Sequence, residues 1–145
     1  MAAPYVFISY KSEDVAFARE LVDALKAVGL GSWAAFTSVR LSHAREIPPA
    51  IQNASAVVIL MSSRAYASEE VLDEVYLARE FKRLRLSVLL PGEVDPVLME
   101  GLADDIKNNW RLERARSQYH PWGTAENVAQ WVADAIADRG VLSAP

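Results

Sequence analysis

Apolar positions recur along this chain with two different periods. Residues 5–10 (YVFISY) form a short aromatic and β-branched run, which predicts a buried strand. Behind it Ala18, Leu21, Val22, Leu25 and Val28 recur at helical spacing, with Asp14 placed to cap the helix and Gly29 to stop it. Residues 30–36 predict a weaker strand, because Gly31 and the Ala34-Ala35 pair dilute its β-propensity. A loop and a short helix follow, in which Pro48 and Pro49 fit only a first turn or a bend. Residues 56–61 (AVVILM) are continuously apolar over the length of a strand, as a central parallel strand covered on both faces should be.

Ser68 then opens a second helix reaching about Leu84, and residues 86–90 form a strand closed by Pro91. A further helix lies somewhere within residues 97–109, and residues 110–120 read equally as a short edge strand or a loop. Thr124 caps a last helix, whose stripe of Val128, Trp131, Val132, Ala135 and Ile136 is expected to end at Gly140. The alternation βαβαβαβ implies an α/β fold of the flavodoxin-like kind, with a central parallel sheet of about five strands, right-handed crossovers and helices on both faces. With no internal repeat or linker, residues 1–140 are expected to form one domain, and residues 141–145 a C-terminal tail or a linker to an absent region.

At 145 residues and 52% hydrophobic content the chain can bury a core without disulfides or metals. Cysteine is absent, which removes thiol nucleophiles and Cys-based zinc sites and suits a reducing cytoplasm, the expected location. No signal core or membrane-length apolar run is visible. A formal charge of −4 argues against a surface adapted to nucleic acid. The local cluster of Arg79, Lys82, Arg83 and Arg85 reads as a solvated helix end, where cations complement the dipole.

In an open parallel sheet, ligands bind beyond the carboxyl ends of the strands. Ser9, Tyr10, Lys11 and Ser12 stand at that position after the first strand, and Ser62, Ser63, Arg64 and Tyr66 after the third. The first connection holds no glycines, which excludes a phosphate-cradling loop. A phospho-acceptor site would need clustered acids after the first strand and an aspartate after the third, where this chain has Ser9-Tyr10 and Ser62-Ser63, and no Gly-x-Ser-x-Gly elbow exists. His43 and His120 show no metal-ligand spacing and are expected at the surface or in loops. Glu74 is the residue that breaks pattern: at 100° per residue it falls within the apolar arc of Val71, Val75, Ala78 and Phe81. Glu70 lies one turn earlier, and a partly desolvated carboxylate beside a like charge retains its proton more readily. On helix geometry alone the plainer alternative is favoured, a border acid paired with Lys11 or an arginine. Glu69 and Glu70 complement the helix dipole.

Phe7-Ile8-Ser9-Tyr10 with Asp14 four residues on closely resembles the first signature of TIR (Toll/interleukin-1 receptor) domains. Gly29 with Ser32-Trp33, residues 51–55, and Ser62, Tyr66 and Ser68 match later family segments, so the resemblance covers roughly residues 5–90. Six residues after Ser68 stands Glu74, where NAD-cleaving TIR domains carry their catalytic glutamate, and this reverses the balance of the two readings. The resemblance implies a TIR fold and cleavage of the nicotinamide N-glycosidic bond of NAD+, a substrate and not a cofactor. Glu74 would be catalytic, with Ser9, Tyr10, Lys11, Trp33, Phe36 and Ser68 binding substrate. It also implies homo-oligomerisation with other TIR domains through the loop between Thr37 and Glu46, a possible sensor domain elsewhere in a longer protein, and a bacterial immune role such as antiphage defence. The sequence departs from the family where Ala34-Ala35 replaces an acid, near Leu41-Ser42-His43 where a glycine is missing, and at Glu70, where the family carries tryptophan. Two alternatives stay open beside the NAD+ reading: a non-enzymatic adaptor acting by TIR to TIR contact, and a nucleoside-processing enzyme of related fold.

Overall fold

The structure, a computed structural model, describes residues 4–34 and 43–143, with side chains described for all of these except 43, 44 and 140–143. Five strands, β1 (Tyr5–Ser9), β2 (Gly31–Trp33), β3 (Ala56–Met61), β4 (Arg85–Leu89) and β5 (Gln118–Pro121), pair in parallel in the order β2-β1-β3-β4-β5. The central place of β3 follows from its sequence, since all six of its apolar residues are buried and only a strand covered on both faces can bury both sets of side chains. The expected α/β fold with a five-stranded parallel sheet and helices on both faces is what forms.

Two cores sandwich the sheet. On one face α1 (Val15–Ala27) and α6 (Ala125–Ser143) pack Leu21, Leu25, Val128 and Val132 against Val6, Ile8, Val58 and Val88. On the other, α2 (His43–Gln52), α3 (Ser63–Tyr66), α4 (Glu69–Glu80) and α5 (Asp104–Arg116) pack Ile51, Tyr66, Val71, Val75 and Trp110 against Phe7, Val57, Ile59 and Met61. Each fully buried side chain of this size contributes about 1.5–3 kcal/mol.

Several expected element ends move, each for a local reason. Asp14 does not cap α1; its carboxylate is buried and accepts hydrogen bonds from the Ser62 hydroxyl and the Arg64 guanidinium. Gly29 does end α1, at φ +84°, where Leu30 N–H donates to Leu25 C=O and Gly29 N–H to Lys26 C=O. Pro48 and Pro49 lie inside α2, beyond its first turn, and not at its start. The packing of Ile47, Ala50 and Ile51 into the second core outweighs the missing donors, and Asn53 covers the helix end by donating to Pro49 C=O. The segment left open between edge strand and loop divides into the last turns of α5 and the edge strand β5. Thr124 caps α6 as expected, accepting from Asn127 N–H, but the helix runs past Gly140 to Ser143 instead of stopping there. One interior glycine costs only about 1 kcal/mol, too little to end a helix anchored along its length.

The basic cluster is not simply a solvated helix end. Arg79 and Arg85 both donate to Glu113 of α5, whose side chain is fully buried, and this triad ties α5 to α4 and β4. Lys82 ends α4 in the left-handed region at φ +56°, with Arg83 N–H donating to Ala78 C=O. The expected helix to Leu84 therefore stops earlier.

Two predictions follow from these contacts. Replacing Lys82 by glycine, which adopts that φ without strain, should stabilise the fold by about 0.5–1 kcal/mol, read as a small rise in the melting temperature. Glu113→Ala leaves two arginines without their buried counter-charge and should cost about 3–5 kcal/mol in urea unfolding; an unchanged midpoint would show that the triad holds nothing together.

Candidate active site

The β1-α1 and β3-α3 connections leave the sheet side by side at its carboxyl edge, and there the strand order reverses about β1. This is the switch point at which open α/β sheets bind ligands. The two connections are held together by Asp14, which reaches from the end of a 3-10 turn (Ser12–Asp14) to Ser62 and Arg64. Ser62 has a second task as the cap of α3, accepting from Ala65 N–H. Ser68 caps α4 by accepting from Val71 N–H. Both hydroxyls thus fix helix starts at the rim of the site.

Glu74 projects from the middle of α4 toward the end of β1. The Ser9 hydroxyl, wholly buried, donates to Glu74 Oε1 at 2.6 Å. Burial pushes the Glu74 carboxyl up to about 7 from an ordinary 4.5; the Ser9 hydrogen bond pulls it back, and the nearby acids Glu70 and Asp73 add to the rise. Neither expected form of neutralisation is present: Lys11 faces Glu70 at 4.0 Å, and no arginine among the described residues is paired with Glu74. A largely buried acid held by a hydroxyl instead of a cation sits with its protonation equilibrium near neutrality. Such a group can accept a proton or stabilise a developing positive charge.

The sequence-predicted residues separate into distinct places. Ser9 and Glu74 meet directly, and Lys11 stands 4.0 Å from Glu70, one helical turn before Glu74. Ser68 stands at the start of the same helix, its hydroxyl 3.4 Å from Glu70 Oε2. Trp33 is stacked on Phe7, ring centroids 4.9 Å apart, and packs into the core beneath the site. Tyr10 packs against the opposite core, with α1 and α6. Phe36 and residues 37–42, expected to belong to the self-association loop, lie outside the described residues.

Other polar features were not visible in the sequence. Tyr66 donates to Glu93 at 2.6 Å, and its phenol is pushed above its ordinary value by burial and then by that carboxylate. Nothing in the spacing of residues 66 and 93 pairs them; only the parallel register of β3 with β4 does. A cleft of about 470 Å3 opens beside Trp110, Arg111, Arg114 and Tyr119, and Glu74 does not line it. His120 lies on β5 against Trp131, and no group of metal-binding side chains occurs among the described residues. No helix among the described residues is long and apolar enough to cross a membrane.

A family model for TIR domains matches residues 6–118. The chain belongs to the TIR domain family. No curated protein matches it in sequence. Among solved structures, the TIR domains of the activated Roq1 resistosome, which recognises the effector XopQ, are 20% identical, with a TM-score of 0.67 over 92% of this chain and 99% of that one. The RPS4 and RRS1 TIR heterodimer is 19% identical, with a TM-score of 0.57 over 93% of this chain and 94% of that one. The CMP N-glycosidase BcmB of Clostridium botulinum is 12% identical, with a TM-score of 0.57 over 89% and 98%. These likenesses show the fold this TIR domain shares.

The raised Glu74 value has a thermodynamic consequence. Between pH 4.5 and about 7 the folded TIR domain keeps a proton that the unfolded chain has released, so this group's contribution to stability falls as pH rises through that window. Glu74→Gln has no proton to lose. The unfolding free energy from urea titrations should therefore fall further between pH 5 and pH 8 in the wild type than in the variant, by an amount on the order of 2 kcal/mol after allowance for partial exposure.

Proposed function

We propose that this TIR domain cleaves the nicotinamide N-glycosidic bond of NAD+, with Glu74 as the catalytic carboxylate. The observation that carries the proposal is the Ser9–Glu74 pair at the switch point. As the C1′–N bond breaks, positive charge develops on the ribose, and an ionised Glu74 beside it stabilises that charge. Ser9 holds Oε1 and leaves Oε2 for the ribose. The pyridinium nitrogen takes the bonding electron pair and leaves as neutral nicotinamide, with no proton needed. Water then adds to C1′, giving ADP-ribose and one proton; attack by an adenine nitrogen instead would give a cyclic product.

A single carboxylate and a hydroxyl suit a leaving group that is already cationic. A neutral base would need a proton donor in addition to the ionised carboxylate, which is the discriminator against the nucleoside reading that the BcmB-like fold suggests. Nucleoside or CMP turnover without NAD+ turnover would favour that reading.

The proposal includes self-assembly with other TIR domains, in a cytoplasmic immune or antiphage role, with a sensor domain as a possible further part of a longer protein. The resistosome and heterodimer among its structural neighbours support the assembly element. Binding to nucleic acid or membrane is not part of the reading. The adaptor alternative is motivated by the altered loop near Leu41-Ser42-His43 and by Ala34-Ala35 in place of the acid after Trp33; it predicts concentration-dependent assembly with no loss of NAD+.

Nicotinamide release by the purified protein, measured at high concentration and under crowding, tests the activity. Glu74→Ala should lower it roughly 10²- to 10⁴-fold while the fold persists; wild-type turnover in that variant removes Glu74 from the reaction. The kcat/KM profile should rise as pH increases through about 7, because the ionised carboxylate is the active form. Ser9→Ala removes a hydrogen bond to that form and should move the rise to higher pH.

A further inference from the structure

Two contacts join the exit of β1 to α4, and they run in parallel. The inner one links Ser9 to Glu74; the outer one links Lys11, two residues further along the chain, to Glu70, one helical turn earlier. A helix that returns the chain between neighbouring parallel strands runs antiparallel to them, so the first turn of α4 stands furthest out at the carboxyl edge. A ligand that approaches Glu74 along this face of α4 passes Lys11 and Glu70.

The outer pair is built differently from the Arg64–Asp14 pair nearby. Arg64 is committed to Asp14, whose side chain is fully buried. Lys11 has a replaceable partner: Glu70 is 83% exposed, and its Oε2 lies 4.0 Å from Lys11 Nζ. The Ser68 hydroxyl is 3.4 Å from that same oxygen and helps hold it toward the lysine. An ion pair this wet contributes little to stability. It is cheap to open, and a phosphate group offers the ammonium more charge and more acceptor oxygens than a single carboxylate does.

We propose that Glu70 is a displaceable competitor for Lys11: it holds the lysine in the resting protein and yields it to the phosphate groups of an incoming nucleotide. Glu70 then sets affinity for the anionic part of the substrate without touching the reacting bond. The inference rests on the proposed Glu74 chemistry only for the direction in which the nucleotide enters. The exchange at Lys11 is a binding equilibrium and is measurable without turnover.

The test is calorimetric titration of the full chain with ADP-ribose, which has two phosphates and no nicotinamide bond to cleave, beside phosphate-free adenosine. Glu70→Gln should bind ADP-ribose about two- to fivefold more tightly, the range open to an exposed ion pair, and leave adenosine unchanged. Lys11→Gln should bind ADP-ribose severalfold more weakly, and in that background Glu70→Gln should have no further effect. Equal ADP-ribose affinities in wild type and Glu70→Gln overturn the proposal, as does a gain that persists without Lys11 or an absence of ADP-ribose binding in all four proteins. Melting curves of the variants, expected to coincide within a few degrees, separate this from a folding defect. If the affinities change as expected while NAD+ is not cleaved, the exchange stands and the NAD+ reading falls; cleavage with unchanged affinities does the reverse.

Discussion

A parallel sheet has to be covered on both faces, and this requirement organises the whole molecule. β3 carries no polar side chain, so the chemistry of the chain is forced to the strand ends and the helices that cover them. Two serines carry polar atoms into the sheet interior beside β3. Ser9 and Ser87 flank Ile59 in register, both wholly buried, and both are satisfied by partners outside the sheet, Glu74 and Ser117 respectively. A buried hydroxyl needs such a partner. The need of Ser9 is met by an acid on a helix, and that single choice converts a structural contact into a candidate site.

Glu113, Asp14 and Glu74 are all drawn toward the interior, and their partners decide what each can do. Glu113 is neutralised by two arginines and Asp14 by one, together with Ser62. In both cases burial is offset by opposite charge, and the acid serves as a tie between elements. Glu74 has a hydroxyl instead, so the cost of desolvating its charge is met by holding the proton. The difference between a tie and a reactive group lies in the neighbour, not in the glutamate.

That difference explains what could be read from the chain before its structure. The continuous run of β3, the stripe of α6 and the acid at 74 within an apolar arc are local periodicities, and they survive because they state which face is buried. Asp14, Arg79 and Arg85 take other roles than the sequence predicts, because a cap and a solvated helix end are local explanations. The true partners, Ser62, Arg64 and Glu113, are remote in sequence and come together only once the strands are in register. Pro48 and Pro49 failed for a related reason: local propensity forbids them inside a helix, and tertiary packing of Ile47 and Ile51 overrides it. Trp33 was legible as an aromatic on a strand, but not which ring it would stack upon.

The geometry around Glu74 is held by rigid parts. Its helix start is capped by Ser68, its partner Ser9 is the last residue of a strand paired on both sides, and the flanking connections are clasped by Asp14. A carboxylate placed by a helix interior and a strand end keeps its position to a precision that loops do not provide. Glu70, one of the positions at which the sequence departs from the family pattern, lies at the exposed rim of this frame and not within it. A sequence can therefore change what reaches the carboxylate, and how tightly, while the Ser9–Glu74 contact itself stays fixed by the requirement that the sheet be covered.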